Sequence, residues 1–261
     1  MAIREDHFSV LEKCHQDMKN LYSKNVNLTS TWVGQSARDW YSITTGDSEN
    51  SLKYNDLPLN RSSLRDYILS EKNSKTASAN LYDIVVNILA WGGMSYVNGR
   101  KALSCWNNWE PVCQGLLDGE LNNIKAYDAF FDAHHSEIMF GVGPAYYTKL
   151  IFFLGNGEGL IMDQWTSKSI NLIHEENIIR LTSGYVSKFA DSNTYKRYIQ
   201  SVGELSERLG FSGSEVHKNS KTEELIFSIS ANRRPRFLTR EEHRIVSAWR
   251  GYVEREWRRV Y

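Results

Sequence analysis

Cysteine is scarce in this chain. Three occur in 261 residues, Cys14, Cys105 and Cys113, with no CxxC pair among them. So sparse and odd a set excludes a disulfide framework and offers no zinc site. Proline is rare too, at four residues, and long stretches run without glycine or proline. That pattern speaks against a turn-rich β-sandwich and for helices. No window approaches the roughly 18 apolar residues that a membrane span needs. The N-terminal MAIREDHFSV lacks the apolar core of a signal peptide. The expectation is a cytoplasmic protein with no membrane partner. An excess of charge is also missing, since Lys+Arg and Asp+Glu both number 31. A protein that coats nucleic acid through charge alone is thereby disfavoured. An enzyme that grips a few phosphates through backbone amides is not.

What is present is ordinary globular material, 41% apolar and 24% charged. The length suits one large domain or two packed halves. Apolar periodicity predicts helices over 5–23, Trp32–Ile43, a short piece near Leu64–Leu69, and Leu81–Trp91 after a cap at Ser78 or Asn80. Gly92-Gly93 ends that helix. Further helices are expected from near Arg100, from Glu110-Pro111, over 124–139, over 144–154, from Asp163, over 194–209, over 222–229 and over about 239–259. No β-alternation is convincing. The fold class is therefore all-α, with a helical domain over 1–236 and a basic C-terminal helix over 237–261 packed on it. Residues 233–261 hold nine Arg and four Glu. They read equally well as a DNA-backbone contact or as a salt-bridged helix that buries Ile245, Val246, Trp249, Val253 and Trp257.

The chemistry concentrates between residues 140 and 165. In Phe140-Gly141-Val142-Gly143-Pro144, two glycines allow a sharp turn between antiparallel helices, and Val142 can plug the gap. Pro144 presets the first turn of the next helix. Free N–H groups of Gly141, Val142, Gly143 and Ala145 then point outward at a helix N-terminus, a phosphate site that reads no base sequence. The bland alternative is a plain αα-hairpin. Lys149 sits inside the otherwise apolar run Ala145–Leu154, and Asp163 follows 14 residues later where a new helix begins. A lysine in an apolar setting loses its proton more easily and can act as a nucleophile. A carboxylate fixed as an N-cap can stabilise positive charge developing on a sugar. Taken singly, Lys149 could merely snorkel and Asp163 merely cap. An extruded base needs a flat apolar pocket, for which Trp91 and Trp165 are the candidates, with Trp32 and Trp40 behind them. His134-His135 reads as packing and solvation.

The segments GVGPAYYTKLIFFL and GLIMDQWTSKSI resemble the helix–hairpin–helix DNA glycosylases, and most closely their bacterial branch similar to 8-oxoguanine glycosylases. Ala90–Gly93 and Glu223–Phe227 also look like pieces of that branch. The resemblance implies two helical halves flanking a catalytic cleft, with the hairpin at about 125–154. It implies Gly141, Val142 and Gly143 as the hairpin and Asp163 as the essential aspartate. Bifunctional members carry a lysine that attacks the sugar C1′ and then cleaves the backbone. In many of them that lysine directly follows the hairpin, where this chain has Ala145. Lys149 lies one turn further on, as in the similar archaeal enzymes, whose lysine is also deeper in the helix. The implied partner is double-stranded DNA with a modified base, bound by a monomer that is nucleoid-associated when acting. The implied role is DNA repair or anti-phage defence. Endonuclease-III-like members bear a four-cysteine iron–sulfur cluster after the core. No cysteine follows Cys113, so no such cofactor is expected, and no metal. A non-catalytic helix–hairpin–helix DNA-binding or scaffold protein is the competing reading, and it would need neither Lys149 nor Asp163.

Overall fold

A computed structural model describes residues 2–24, 32–47, 56–73, 81–155, 158–230, 235 and 237–260. Among them are thirteen α-helices and one two-stranded sheet, so the expected all-α class is observed. No described helix is long and apolar enough to cross a membrane. The chain divides into two compact units, Trp32–Leu160 and a second made of Met1–Thr31 with Ile161–Tyr261. The first helix, α1 (Glu5–Lys24), belongs to the second unit.

The unit Trp32–Leu160 is built from seven described helices. Ser36 caps α2 (Ala37–Thr45) by accepting from the Asp39 N–H. Gly46 ends it in the left-handed region. α3 (Arg61–Asn73) lays Arg61 over the Phe152 ring. α4 (Leu81–Trp91) is buried over almost its whole length, as its unbroken apolar run demands. Its expected cap at Ser78 or Asn80 lies outside the described residues. Ser95 caps α5 (Tyr96–Ser104), and α6 (Trp106–Leu117) follows. Asn122 caps α7 (Asn123–His135), and α8 (Pro144–Leu154) closes the unit. Aromatic rings fill its core, with Phe130 and Tyr147 stacked at 5.6 Å. The buried indole N–H groups of Trp40 and Trp109 donate to the carbonyls of Met94 and Ala102. Those bonds remove the cost of burying two polar atoms. Trp40 is thus a core residue.

Several expected boundaries move. α2 starts at Ala37, not Trp32, because Val33 forms a bridge to Asn60 in extended backbone. α3 is longer than the piece foreseen at Leu64–Leu69, and α5 starts at Tyr96 rather than near Arg100. Pro111 does not begin a helix. It sits inside α6, which starts at Trp106 so that Trp106, Trp109 and Cys113 are buried on one face. α7 stops at His135, not 139. Glu137 takes a positive φ of 57°, and the Ile138 and Met139 N–H groups fold back onto the Ala133 carbonyl.

In the second unit, α9 (Gln164–Ile173) is central. A tight hairpin, β1 (Leu181–Thr182) and β2 (Tyr185–Val186), packs on it through a Ser183-Gly184 turn with both residues at positive φ. This hairpin was not foreseen. Then come α10 (Ser192–Arg208) and α11 (Glu215–Phe227), each starting before its sequence-based bound. The C-terminal stretch makes two helices, α12 (Arg240–Val246) and α13 (Ala248–Val260), where one was expected, with the break at Ser247. They belong to the second unit rather than forming a segment apart. Val246, Trp249 and Val253 are buried, so this stretch is a core-packing amphipathic pair with an arginine-bearing outer face. The Trp249 N–H donates to Ser169, whose hydroxyl donates to the Ile226 carbonyl, which ties α13, α9 and α11 together. α1 packs on α12 and α13, as anticipated for a chain whose start returns to its end. Leu21 and Tyr22 meet Ile229, Leu238 and Val246 there. The basic residues Arg233, Arg234 and Arg236 lie outside the described residues.

Candidate active site

The hairpin between α7 and α8 is in the unit Trp32–Leu160. Val142 is fully buried and plugs the turn. Gly141 has φ 75°, and a Cβ there would overlap the Asn98 carbonyl oxygen on α5. Glycine is thus required at 141 twice over, by conformation and by space. Gly143 differs: its backbone is extended, and a Cβ on it would meet nothing within 4 Å. It caps α8 through its carbonyl, which accepts from Tyr146 and Tyr147. Among the described residues the N–H groups of Gly141, Val142, Gly143 and Ala145 make no hydrogen bond. Val142 is completely buried, so its N–H is closed to a ligand, against the expectation from sequence; Gly141, Gly143 and Ala145, which are partly exposed, leave three unbonded donors at the positive end of α8, an arrangement suited to a phosphate oxygen.

Lys149 is buried, 7% exposed, on the face of α8 that looks toward α4. A helical side chain points back toward the helix N-terminus, and this one does so over its full length. Its Nζ lies 3.1 Å from the Ala145 carbonyl oxygen and 5.0 Å from the centre of the Tyr146 ring. The amine of Lys149 therefore stands beside Ala145, one turn before its own Cα. Gly92 forms the other wall, 3.2 Å from Lys149 Cε as measured from a Cβ built on the glycine. The Tyr146 hydroxyl donates to the Gly92 carbonyl at 3.4 Å. Trp91 precedes this wall. Its ring is 6% exposed and meets Phe153 edge-on at 4.9 Å. Its carbonyl accepts from Trp32. Trp91 thus backs the Gly92 wall from within the core. His135 lies against Phe131, ring centroids 4.0 Å apart and tilted by 30°.

Asp163 and Trp165 belong to the second unit. Asp163 caps α9: its Oδ1 accepts from the N–H groups of Trp165 at 2.7 Å and Thr166 at 3.1 Å. The Thr166 hydroxyl returns a bond from the Asp163 N–H, completing a capping box. Among the described residues Oδ2 accepts no hydrogen bond, and Asp163 as a whole is 8% exposed. One oxygen is fixed and the other is unbonded among the described residues. The segment leading in is fixed as firmly. The Ile161 carbonyl accepts from the hydroxyls of Tyr198 and Thr166, and the Ile161 N–H donates to Glu223. Glu223 is buried on α11 and holds backbone. Burial pushes the Tyr198 hydroxyl well above its ordinary range, with Glu223 adding to the effect, so it stays a donor.

Trp165, half-exposed, does more than foreseen. Two cations sit on its ring: the Arg250 guanidinium at 3.1 Å and Lys168 Nζ at 4.2 Å from the centroid. Arg250 pairs with Glu254 at 2.9 Å. Burial, and then the charge of Arg250, lowers the Lys168 amine, which Asp163 and Glu254 partly offset. Sequence reading missed Lys168 and Arg250. The signal for Lys168 was its spacing of three from Trp165 on one helix, which places them on one face. Arg250 comes from a distant helix and left no local trace.

Residues 27–227 match the family model described as “Putative 8-oxoguanine DNA glycosylase OGG-like protein”. No curated protein and no solved structure matches the chain.

Proposed function

The chain belongs to this family of 8-oxoguanine DNA glycosylase-like proteins, and from that premise we propose that it excises an oxidised or otherwise modified base from double-stranded DNA, in repair or anti-phage defence, with Lys149 as the nucleophile of a coupled lyase step. The unbonded amides of Gly141, Gly143 and Ala145 hold a phosphate and carry no base information, while Val142 plugs the turn beneath them. The target nucleotide leaves the stack, and the half-exposed Trp165, whose ring already seats Arg250 and Lys168, borders the capped Asp163 rather than offering an open stacking face. Trp91 supports the Lys149 wall from behind. As the N-glycosidic bond breaks, its electron pair departs on the base, which takes up a proton. Positive charge grows on the sugar, and the free Oδ2 of Asp163 stabilises it. The Lys149 nitrogen bonds to C1′ through its lone pair. Loss of a proton and ring opening then give a Schiff base, from which β-elimination cleaves the DNA backbone.

The observation that carries this reading is the position of Lys149 Nζ at the Ala145 carbonyl. Ala145 is where the lysine stands in many bifunctional helix–hairpin–helix glycosylases. A lysine one turn later thus delivers its amine to the same end of the helix. The protein is expected to act as a monomer and without a metal or iron–sulfur cofactor.

The test is incubation with duplexes that each carry one modified base, followed by borohydride. Base release from at least one duplex, with a covalent adduct, supports the reading. Release without an adduct assigns attack to water and a monofunctional enzyme. Tight binding of every duplex with release from none returns the protein to a non-catalytic DNA-binding role.

A further inference from the structure

Asp163 is nearly buried. Two backbone N–H groups at the N-terminus of α9 bond one of its oxygens. Two cations stand nearby on Trp165. Its main chain caps the carboxylate, and its indole seats both Lys168 and Arg250. Neither cation approaches Asp163 closely enough for an ion pair among the described residues, although both interact with it electrostatically. Arg250 is anchored by Glu254 and by the Phe227 carbonyl. Lys168, 7% exposed, makes no hydrogen bond or ion pair among the described residues; its amine rests on Trp165, with Trp257 at 5.8 Å. Gly184 of the β-turn closes over it, and a Cβ there would stand 3.3 Å from Nζ. A lysine kept dry without an acid partner is costly, and packing alone would favour a methionine at this position.

We propose that Lys168, seated beside Arg250 on the Trp165 ring, is a positioning cation for Asp163: it places positive charge near the carboxylate while leaving Oδ2 unpaired. A direct salt bridge would neutralise the carboxylate and occupy the oxygen that the sugar needs. A cation held to one side by an indole does neither. The other ionisable groups facing this cluster are Glu254 on α13, which balances Arg250, and Tyr198 on α10 with Glu223 behind it on α11. The proposal rests on the role given to Asp163 above.

Coupling between two charges is the same seen from either end, so it can be read at Lys168 in the DNA-free protein. The full chain is labelled with 13Cε-lysine and titrated by NMR, and Lys168→Arg identifies the signal by its loss. In wild type the Lys168 midpoint lies below that of the other lysines. In Asp163→Asn, which keeps the helix cap, the midpoint falls further, by about one pH unit, and in Arg250→Met it rises. An Lys168 midpoint unmoved by Asp163→Asn overturns the proposal, and circular dichroism of each variant checks that the fold is retained. Base release by Asp163→Asn is measured separately. If that variant excises as well as wild type, the role of Asp163 fails, whatever the titration shows.

Discussion

Gly92 lies against the side chain of Lys149 so closely that a Cβ on the glycine would stand 2.8 Å from Cδ and 3.2 Å from Cε. The backbone at 92 is therefore the wall that turns the lysine back toward Ala145. Gly92→Ala must displace the stem of Lys149, the Tyr146 ring, or both. The expected outcome is a folded protein with slower borohydride trapping and near-normal DNA binding. Trapping at the wild-type rate would show that the glycine does not set the position of the amine.

Lys149→Gln should abolish the borohydride adduct. If the lysine is the obligatory nucleophile, base release is lost with it. The substitution keeps a long polar chain beside Tyr146, so thermal stability should change little. Adduct formation in this variant, on a duplex that the wild type cleaves, would move the nucleophile to another amine.

Elements whose ends carry a chemical mark were legible in the sequence. Leu81–Trp91 and Pro144–Leu154 have the predicted bounds, because Gly92-Gly93 and Gly143-Pro144 punctuate them. Asp163 was legible as a cap because a short polar side chain stood between an extended apolar triplet and a helical pattern. The errors arose where distant packing decided. Pro111 is tolerated inside α6 because two buried tryptophans start the helix earlier. The break at Ser247 depends on packing against Ser228 and α11, since the Ser228 hydroxyl donates to the Val246 carbonyl. The Lys168–Trp165–Arg250 cluster joins residues some eighty positions apart in sequence, and no local pattern encodes that.

The two hairpin glycines should separate folding from binding. Gly141→Ala forces a side chain into positive φ and against Asn98, which should cost ~1–3 kcal/mol or more in stability. Gly143→Val has extended backbone and open space around it. It should fold normally, yet its side chain would project where a phosphate approaches the free amides. Binding of all duplexes should weaken alike in fluorescence anisotropy. A loss confined to particular base sequences would contradict phosphate recognition.

His174 supplies a pH dependence of stability. It is fully buried at the end of α9, and burial lowers its ring below the ordinary value of 6.5, against weaker opposing effects led by Glu204. The unfolded chain therefore binds a proton at a higher pH than the folded one does. Stability is at its full value above pH 6.5 and falls as pH drops from there toward the lower folded value. His15 is shifted in the same direction, first by burial and then by Lys19. His174→Leu should flatten part of the fall in melting temperature between neutral and mildly acidic pH, with His15 leaving a remainder. An unchanged profile would mean that the buried ring is not the titrating group.

Asp163→Asn is the most direct test of the chemistry. Asparagine caps helices as well as aspartate does, and its side-chain oxygen can accept from Trp165 and Thr166 as Oδ1 does now. The capping box and the approach of Leu160–Met162 should survive, so melting temperature and DNA affinity should stay near wild type. What is lost is the negative charge on the free oxygen, which matters only as the sugar becomes positive. Removing one preorganised electrostatic group of this kind costs roughly 10²–10³-fold in rate. Single-turnover base release should fall by that factor on the duplex the wild type cleaves, with little change in half-saturating enzyme concentration. A variant that loses binding in step with rate would make Asp163 a structural cap alone. One that excises at the wild-type rate would remove it from the active site.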